Sequence, residues 1–408
     1  MRNYLIAIFI CSLFFVSIES QAQWTSLGLS NNLIVNTFLV DDQNIFAGTS
    51  NGVYVSNNNG LNWMERNSGL WVGSGVWSMA TNGSNIFAAL LNGGLFLSSN
   101  NGLNWNPASN GLADGGSSTT ALAVSGSNVY AGGVGIGVFL STDNGANWTA
   151  INNGFPTNTY VTSIAIIDTK IFVGTRMMAG TYVSTNNGAS WNSVSSAPLW
   201  INSFAIKEST IIAGSGLWGI AISTDYGTTW SNISIGLNNT NVHSVVISSD
   251  IFFAGTEGGV FISQNKGASW KEVNSGLSNI SVLSLASNGS YLFAGTNGSG
   301  VWRRPISEMI TDIKGEQDNL PTEFKLEQNY PNPFNPTTAI RYQLSAFSKV
   351  TLKVHDLLGR EVATLVDEEK SPGNYEVKFD GTNLASGVYL CQLQAGGFVD
   401  TKKIMLLK

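Results

Sequence analysis

The sequence predicts an all-β chain: a seven-bladed β-propeller whose N-terminal strand closes the last blade, followed by an immunoglobulin-like β-sandwich. Three observations carry this reading. An octet ending in tryptophan recurs six times at a spacing near forty residues. A pair of short strand patterns split by glycine recurs seven times. The composition changes abruptly after Arg304.

Composition bounds the chemistry first. Charged residues make up 11% of the 408 residues, less than half of the usual ~25%. Hydrophobic residues reach 43%, so the chain packs cores despite its many Asn, Ser and Gly. The net charge of −6 provides no basic face, so nucleic acid is not an expected partner. Two histidines and two cysteines leave little room for a His/Cys metal site, a Ser-His-Asp triad or a disulfide framework. No metal and no cofactor is expected.

Residues 1–22 read as a secretory signal peptide. Arg2 supplies the positive start, Leu5 to Val16 the apolar run, and Ser20-Gln21-Ala22 the small residues of a cleavage site. The run is too short to span a bilayer well, and no later stretch has ~18 consecutive apolar residues, so no transmembrane segment is expected after cleavage. Cys11 lies in this segment. Cleavage before Gln23 leaves Cys391 without a disulfide partner.

The octets are SNNNGLNW, SSNNGLNW, STDNGANW, STNNGASW, STDYGTTW and SQNKGASW. They end at Trp63, Trp105, Trp148, Trp191, Trp230 and Trp270, in steps of 42, 43, 43, 39 and 40. Before each stands a strand pair of the type IFAGTSNGVYVS at 45–56. A seventh pair, LFAGTNGSGVWRR, has no octet after it. The segment from Trp24 to Leu29 resembles the residues that run on from each octet tryptophan, so the N-terminal strand is expected to complete the last unit. Four short strands per repeat of ~40–45 residues indicate propeller blades. Alternation such as Ile45/Ala47 against Phe46/Gly48 fits half-buried strands, and Asn-Gly pairs supply tight turns. Residues 23–304 are expected to form the propeller.

These octets resemble the Asp box, the Ser-x-Asp-x-Gly-x-x-Trp hairpin of sialidase-type and related propellers. Asp143 and Asp225 keep the acid, whereas Asn58, Asn100, Asn186 and Asn265 replace it. The resemblance implies a structural hairpin between the third and fourth strands, with the tryptophan packed between sheets. Sialidases use an arginine cluster, a Tyr/Glu nucleophile pair and an Asp acid/base. Between 24 and 304 there are four arginines, Arg66, Arg176, Arg303 and Arg304, and Arg176 alone is expected on a rim loop.

Other glycoside hydrolases need two carboxylates facing across a cleft. Asp41, Asp42, Asp168 and Asp250 fall in expected strand turns and Glu65 and Glu272 on expected outer strands, which leaves Asp114 and Glu257 as candidates. His243 precedes the inner-strand pattern Ser244-Val-Val-Ile247 and reads as structural rather than as a base. Three tryptophans outside the repeat, Trp71, Trp200 and Trp218, map to loops expected on one face. Arg176, Met177 and Met178 occupy the matching loop of the fourth blade. Exposed aromatics with an apolar rim suit sugar stacking or protein contact; extra packing beneath the central tunnel is the alternative for Trp71 and Trp200.

Residues 305–323 read as a polar linker. A new module starts at 324, richer in charge and without tryptophan. Its runs Ile340/Tyr342/Leu344, Val350/Leu352/Val354, Tyr375/Val377/Phe379 and Tyr389/Cys391/Leu393 have period two, with turn residues such as Pro372-Gly373 between them. Cys391 is expected as a core side chain. NYPNPFNPTT, KVHDLLGREVATLVDEEKSPGNYEVKFDG, LASGVYLCQLQAGG and TKKIMLLK resemble, in order, the type A sorting domain of the type IX secretion system. Asp356, Gly359, Gly387, Tyr389, Lys402 and Lys403 fall on its motifs. The resemblance implies the type IX machinery as a partner and passage across the outer membrane to the surface or medium, after export by the Sec route that the signal peptide leads one to expect. The expected function is a non-catalytic propeller binding a surface glycan or protein. A secreted propeller-type glycoside hydrolase and a protein-binding scaffold are the alternatives.

Overall fold

The computed structural model describes residues 23–310, 321 and 323–408, except 30, 31, 42, 43, 72, 84, 117, 177–179, 346, 347, 371 and 372. The signal-peptide reading of 1–22 and the expectations for Asp42, Met177, Met178 and Pro372 lie outside these residues.

Seven four-stranded antiparallel sheets occupy residues 25–305. The first runs Val35–Val40, Ile45–Thr49, Gly52–Ser56 and Met64–Glu65, in chain order from inside to outside. The second strand is buried along its whole length. That burial requires a covered surface on both faces, which explains its run of Ile, Phe, Ala and Gly. The innermost strands of the seven sheets start at Val35, Val76, Thr119, Val161, Ile201, Val242 and Val282. Each contacts the next, and the first also contacts the seventh. In the seventh sheet the outer position is taken by Thr25–Ser26, paired antiparallel with Val301–Pro305 through Thr25↔Arg303 and Ser26↔Trp302.

Close approach between neighbouring sheets depends on one column of residues in the second strands. A Cβ on Gly48 would stand 2.8 Å from Val76 Cγ1, and one on Gly174 would stand 2.6 Å from Ile201 Cβ. No side chain fits such a gap. Where the column holds Ala89, the next inner strand begins with Thr119 instead of valine or isoleucine.

The tract expected as linker begins inside the packed structure. Ile306 and Met309 are buried against the seventh sheet, and the Ile306 amide donates to the Ser290 carbonyl. Apolar side chains at 306 and 309 account for this; the polar character begins only beyond them.

Residues 325–406 form two further sheets. One holds Lys325–Leu326, Thr337–Leu344 and Gly373–Asp380; the other orders Glu361–Lys370, Ser348–His355, Gly387–Ala395 and Phe398–Leu406. Tyr342, Leu344, Leu352, Cys391 and Leu393 share one core between them. Burial pushes the Cys391 thiol up to about 12, so it packs as a small apolar group.

Candidate binding face and inter-sheet groove

One face of the sheet array is tied together by a repeated backbone bond. After each second strand, an amide donates to a carbonyl just before the first strand of the same sheet. Ser50→Ile34, Leu91→Gly75, Val134→Ser118, Arg176→Tyr160, Gly216→Trp200, Glu257→Asn241 and Asn297→Ser281 form the series. The strand-two turns and the incoming links therefore share this face. It carries Trp71, Leu91, Val134, Leu217, Trp218 and Ile280 as exposed apolar side chains.

The sequence candidates separate here. The Arg176 guanidinium lies over the rings of both Tyr160 and Trp200, 5.5 and 5.7 Å from their centroids. Trp200 is half-buried and takes a left-handed backbone conformation, φ 56°. Its carbonyl anchors the turn that presents Leu217 and Trp218, the latter 56% exposed. Trp71 is 58% exposed and stands edge-on to Phe96 of the second sheet.

Asp114 and Glu257 are already engaged. Asp114 accepts from Ser118 Oγ at 2.5 Å. Glu257 lies 2.7 Å from His243 Nε2. The Ser281 hydroxyl and then His243 hold the Glu257 carboxyl below its ordinary range, against the opposing effect of burial. Asp114 belongs to the link entering the third sheet and Glu257 to the sixth sheet, so each acid is tied up locally in a different part of the array.

The inner strands each carry a bulge at their second residue: Asn36, Trp77, Thr120, Thr162, Asn202, His243 and Leu283. These seven line a polar cavity of about 280 Å³ at the centre of the array. Asn36, Thr120, Thr162 and Asn202 donate across to the first carbonyl of the next inner strand, at Val76, Val161, Ile201 and Val242. Trp77, His243 and Leu283 break the series. Trp77 is 41% exposed and was not among the sequence candidates. Aligning the second residues of the inner strands would have exposed it as the odd aromatic.

The octets behave as hairpin locks. In each, the serine hydroxyl donates to the Asn or Asp two residues on and accepts from the glycine amide, as with Ser56, Asn58 and Gly60. Five tryptophans close the seams between sheets. Trp24, Trp105, Trp148, Trp191 and Trp270 are 3–5% exposed. Each indole donates to the preceding sheet, at Val273, Arg66, Ala108, Ile151 and Ile233. Each backbone amide does the same. Two octet tryptophans depart from the expected packing. Trp63 is half-buried, and its indole nitrogen has no partner among the described residues. Trp230 is half-buried and donates to Gly227 of its own hairpin, and its amide makes no bond to the fourth sheet among the described residues.

Two small residues mark the seam at Trp230. At the five sealed seams, Leu70, Leu112, Phe155, Leu237 and Leu277 each stand directly after a glycine and pack on the next seam tryptophan, and Leu29 stands likewise against Trp63. Between the fourth and fifth sheets the link is one residue shorter before its turn, and Ala197 holds that place. The third-strand column reads Tyr54, Phe96, Phe139, Tyr182 and Phe261, but Ala221 in the fifth sheet. The missing volume leaves a groove of about 420 Å³ open to solvent, lined by Pro198, Leu199, Trp218, Ala221 and Trp230, with no charged side chain.

In the C-terminal domain, Asp356 caps its own loop. It accepts from the amides of Leu358 and Arg360 and pairs with the Arg360 side chain at 2.7 Å. Gly359 takes φ 80° to close the turn. The loop leaves Leu357 and Leu358 exposed. Gly387 opens a strand, Tyr389 donates its hydroxyl to Ala385, Lys402 pairs with Asp400, and the Lys403 carbonyl receives Gln328 and Asn332.

Comparison with known proteins fits these two parts. Residues 328–407 match the profile of the secretion system C-terminal sorting domain. Residues 45–208 match that of the DUF6242 beta propeller domain. No curated protein matches the sequence. Among solved structures, the GH74 xyloglucanase from Xanthomonas campestris is 16% identical with a TM-score of 0.57, over 78% of this chain and 59% of that one. PorZ, a surface component of the type-IX secretion system of Porphyromonas gingivalis, is 15% identical with a TM-score of 0.50, over 91% of this chain and 59% of that one. YCF48 from Cyanidioschyzon merolae is 12% identical with a TM-score of 0.55, over 70% of this chain and 99% of that one. At these identities the likeness concerns the fold. The chain spans about three fifths of the length of the xyloglucanase and of PorZ.

Proposed function

With a propeller domain and a secretion-system sorting domain in one chain, we propose an exported protein that binds a glycan or protein ligand without catalysing a reaction. The seven sheets close as a seven-bladed propeller locked by Asp-box hairpins. The C-terminal pair of sheets is an immunoglobulin-like sandwich that the type IX machinery handles. Residues 1–22 direct the chain into the Sec route, and the propeller is displayed at the cell surface or released.

The observation that carries the binding reading is the face bearing Trp71, the Tyr160–Arg176–Trp200 stack and Trp218. Two exposed indoles on one face of a chain this poor in charge present a large apolar area with a few donors at its edge. A hydrolase reading would need two carboxylates free to face one another. Asp114 and Glu257 instead sit in local bonds in separate parts of the array. The test uses residues 23–408 and their Trp71/Trp200/Trp218→Ala variant on a glycan array and against surface extracts. Binding by the parent and not by the variant is the expected result. Turnover of any bound glycan would overturn the non-catalytic assignment.

A further inference from the structure

We infer that the groove between the fourth and fifth sheets is a docking slot for an uncharged segment of a partner protein, which inserts one leucine or phenylalanine side chain against Trp230. This inference rests on the binding reading above and gives it a place and a partner chemistry.

The molecule itself shows what such a slot accepts. At other seams the occupant is an internal segment: Asn-Ser-Gly-Leu at 67–70 and 274–277, and Asn-Asn-Gly-Phe at 152–155. Its apolar residue packs with the next tryptophan and the third-strand aromatic in one cluster, as Leu112, Phe139 and Trp148 do. Phe155 stacks on Trp191 at 4.8 Å and meets Tyr182 edge-on at 4.9 Å. At the fifth sheet both large residues are alanines, and neither Ala197 nor Ala221 belongs to the cluster around Trp230. The hairpin that carries Trp230 remains locked, with Asp225 held by Ser223, Thr228 and Thr229. The slot is therefore formed in advance, on a rigid hairpin. Its lining is uncharged, which matches uncharged plug segments and disfavours acidic or basic ones. Leu199 and Trp218, both exposed at its mouth, extend the apolar contact beyond a single side chain. Recognition of this kind anchors on one buried side chain, with the surrounding contacts excluding water.

The probe is the chain's own plug sequence, an N-acetylated peptide of residues 273–279, Val-Asn-Ser-Gly-Leu-Ser-Asn, titrated into residues 23–408 and followed by the peptide methyl resonances. The expected result is binding with a Kd on the order of 1 mM, weakened about tenfold or more by Leu277→Ala in the peptide. Ala197→Leu in the protein, which supplies the plug from within, is expected to abolish it, as is Ala221→Phe. Melting curves of both variants establish that they fold, and the two together keep the test sound if one does not. Equal binding by both peptides, binding unchanged in the folded variants, or no binding at about 10 mM peptide would overturn the proposal. Loss of glycan-array binding in Ala197→Leu, with no peptide binding, would assign the slot to a sugar and also overturn it. In those cases the Trp71/Trp200/Trp218→Ala comparison would still decide whether the face binds a ligand at all.

Discussion

Ser141 shows how a single hydroxyl organises a hairpin. It donates to Asp143 Oδ1 at 2.8 Å and accepts from the Gly145 amide at 2.8 Å. The same carboxylate accepts from the Asn147 amide at 2.9 Å and from its side chain at 2.8 Å. The Asn147 contacts, followed by the Ser141 hydroxyl, lower the Asp143 pKa to about 2. Thr229 and then Ser223 lower Asp225 in the same way. Where Asn186 and Asn265 replace the acid, the first acceptor is kept and the second is reversed. Asn186 and Asn265 donate to Ser190 and Ser269, both at 2.9 Å. A depressed carboxylate pKa gives stability that is present above the unfolded value of 3.8 and is lost as pH falls towards about 2. An Asp143→Asn/Asp225→Asn double variant is therefore expected to lose less melting temperature between pH 5 and about 2 than the parent does. Thermal melts across that range check it; parallel curves would remove these two acids from the acid sensitivity.

The seam is the unit at the scale of elements. A sealed seam joins a tryptophan hydrogen-bonded through both nitrogens, a Gly-Leu or Gly-Phe plug and a third-strand aromatic. The glycine is required by geometry: at Gly69, φ is 90° and a Cβ would stand 2.1 Å from the Trp105 carbonyl oxygen. Gly69→Ala is expected to cost about 2 kcal/mol or more, read by denaturant unfolding. The seams also differ from one another in a measurable way. Trp148→Ala removes a fully packed ring and is expected to cost about 3–5 kcal/mol. Trp230→Ala removes a half-buried ring beside an open groove, so its cost is expected at roughly 1–2 kcal/mol, since less packing is lost. Equal costs would show that the groove leaves Trp230 as well anchored as the others.

At the scale of the whole molecule, the two ends carry different elements, a strand that completes the seventh sheet and a secretion-system sorting domain. Trp24 donates its indole to Val273 and its amide to Ser275, and Thr25–Ser26 completes the seventh sheet. A sheet array with its first and last strands joined leaves fewer free edges, and unfolding must break that joint. Deleting residues 23–30 is expected to lower the melting temperature by about 10 °C or more. An unchanged value would show that the N-terminal strand does not hold the ring. At the other end, deleting residues 324–408 is expected to leave the propeller in the periplasm, read by fractionation of the producing cells. Normal surface display would refute the sorting role. The xyloglucanase-like fold does not decide the propeller's activity, since one architecture serves many chemistries and function resides in its sites.

The repeat, the strand pairs and the N-terminal completion of the last unit were legible in the sequence because each rests on local spacing. A hairpin of eight residues carries its own bonds, and Trp24 could be matched to the later tryptophans by the residues on its C-terminal side. The sorting domain was legible for the same reason, its motifs standing in order over 328–407. The site was only partly legible. Trp71, Trp218 and Arg176 could be placed on one face from loop position, whereas the stacking of Arg176 on Trp200 and the pairing of His243 with Glu257 join residues 24 and 14 positions apart across a loop or hairpin. Trp77 escaped because its strand pattern reads as ordinary; only the bulge turns it to the central cavity. The groove was decided by tertiary structure alone. Ala197 and Ala221 are unremarkable in sequence, and their effect appears only where two sheets meet and the volume that leucine and phenylalanine fill elsewhere is left open.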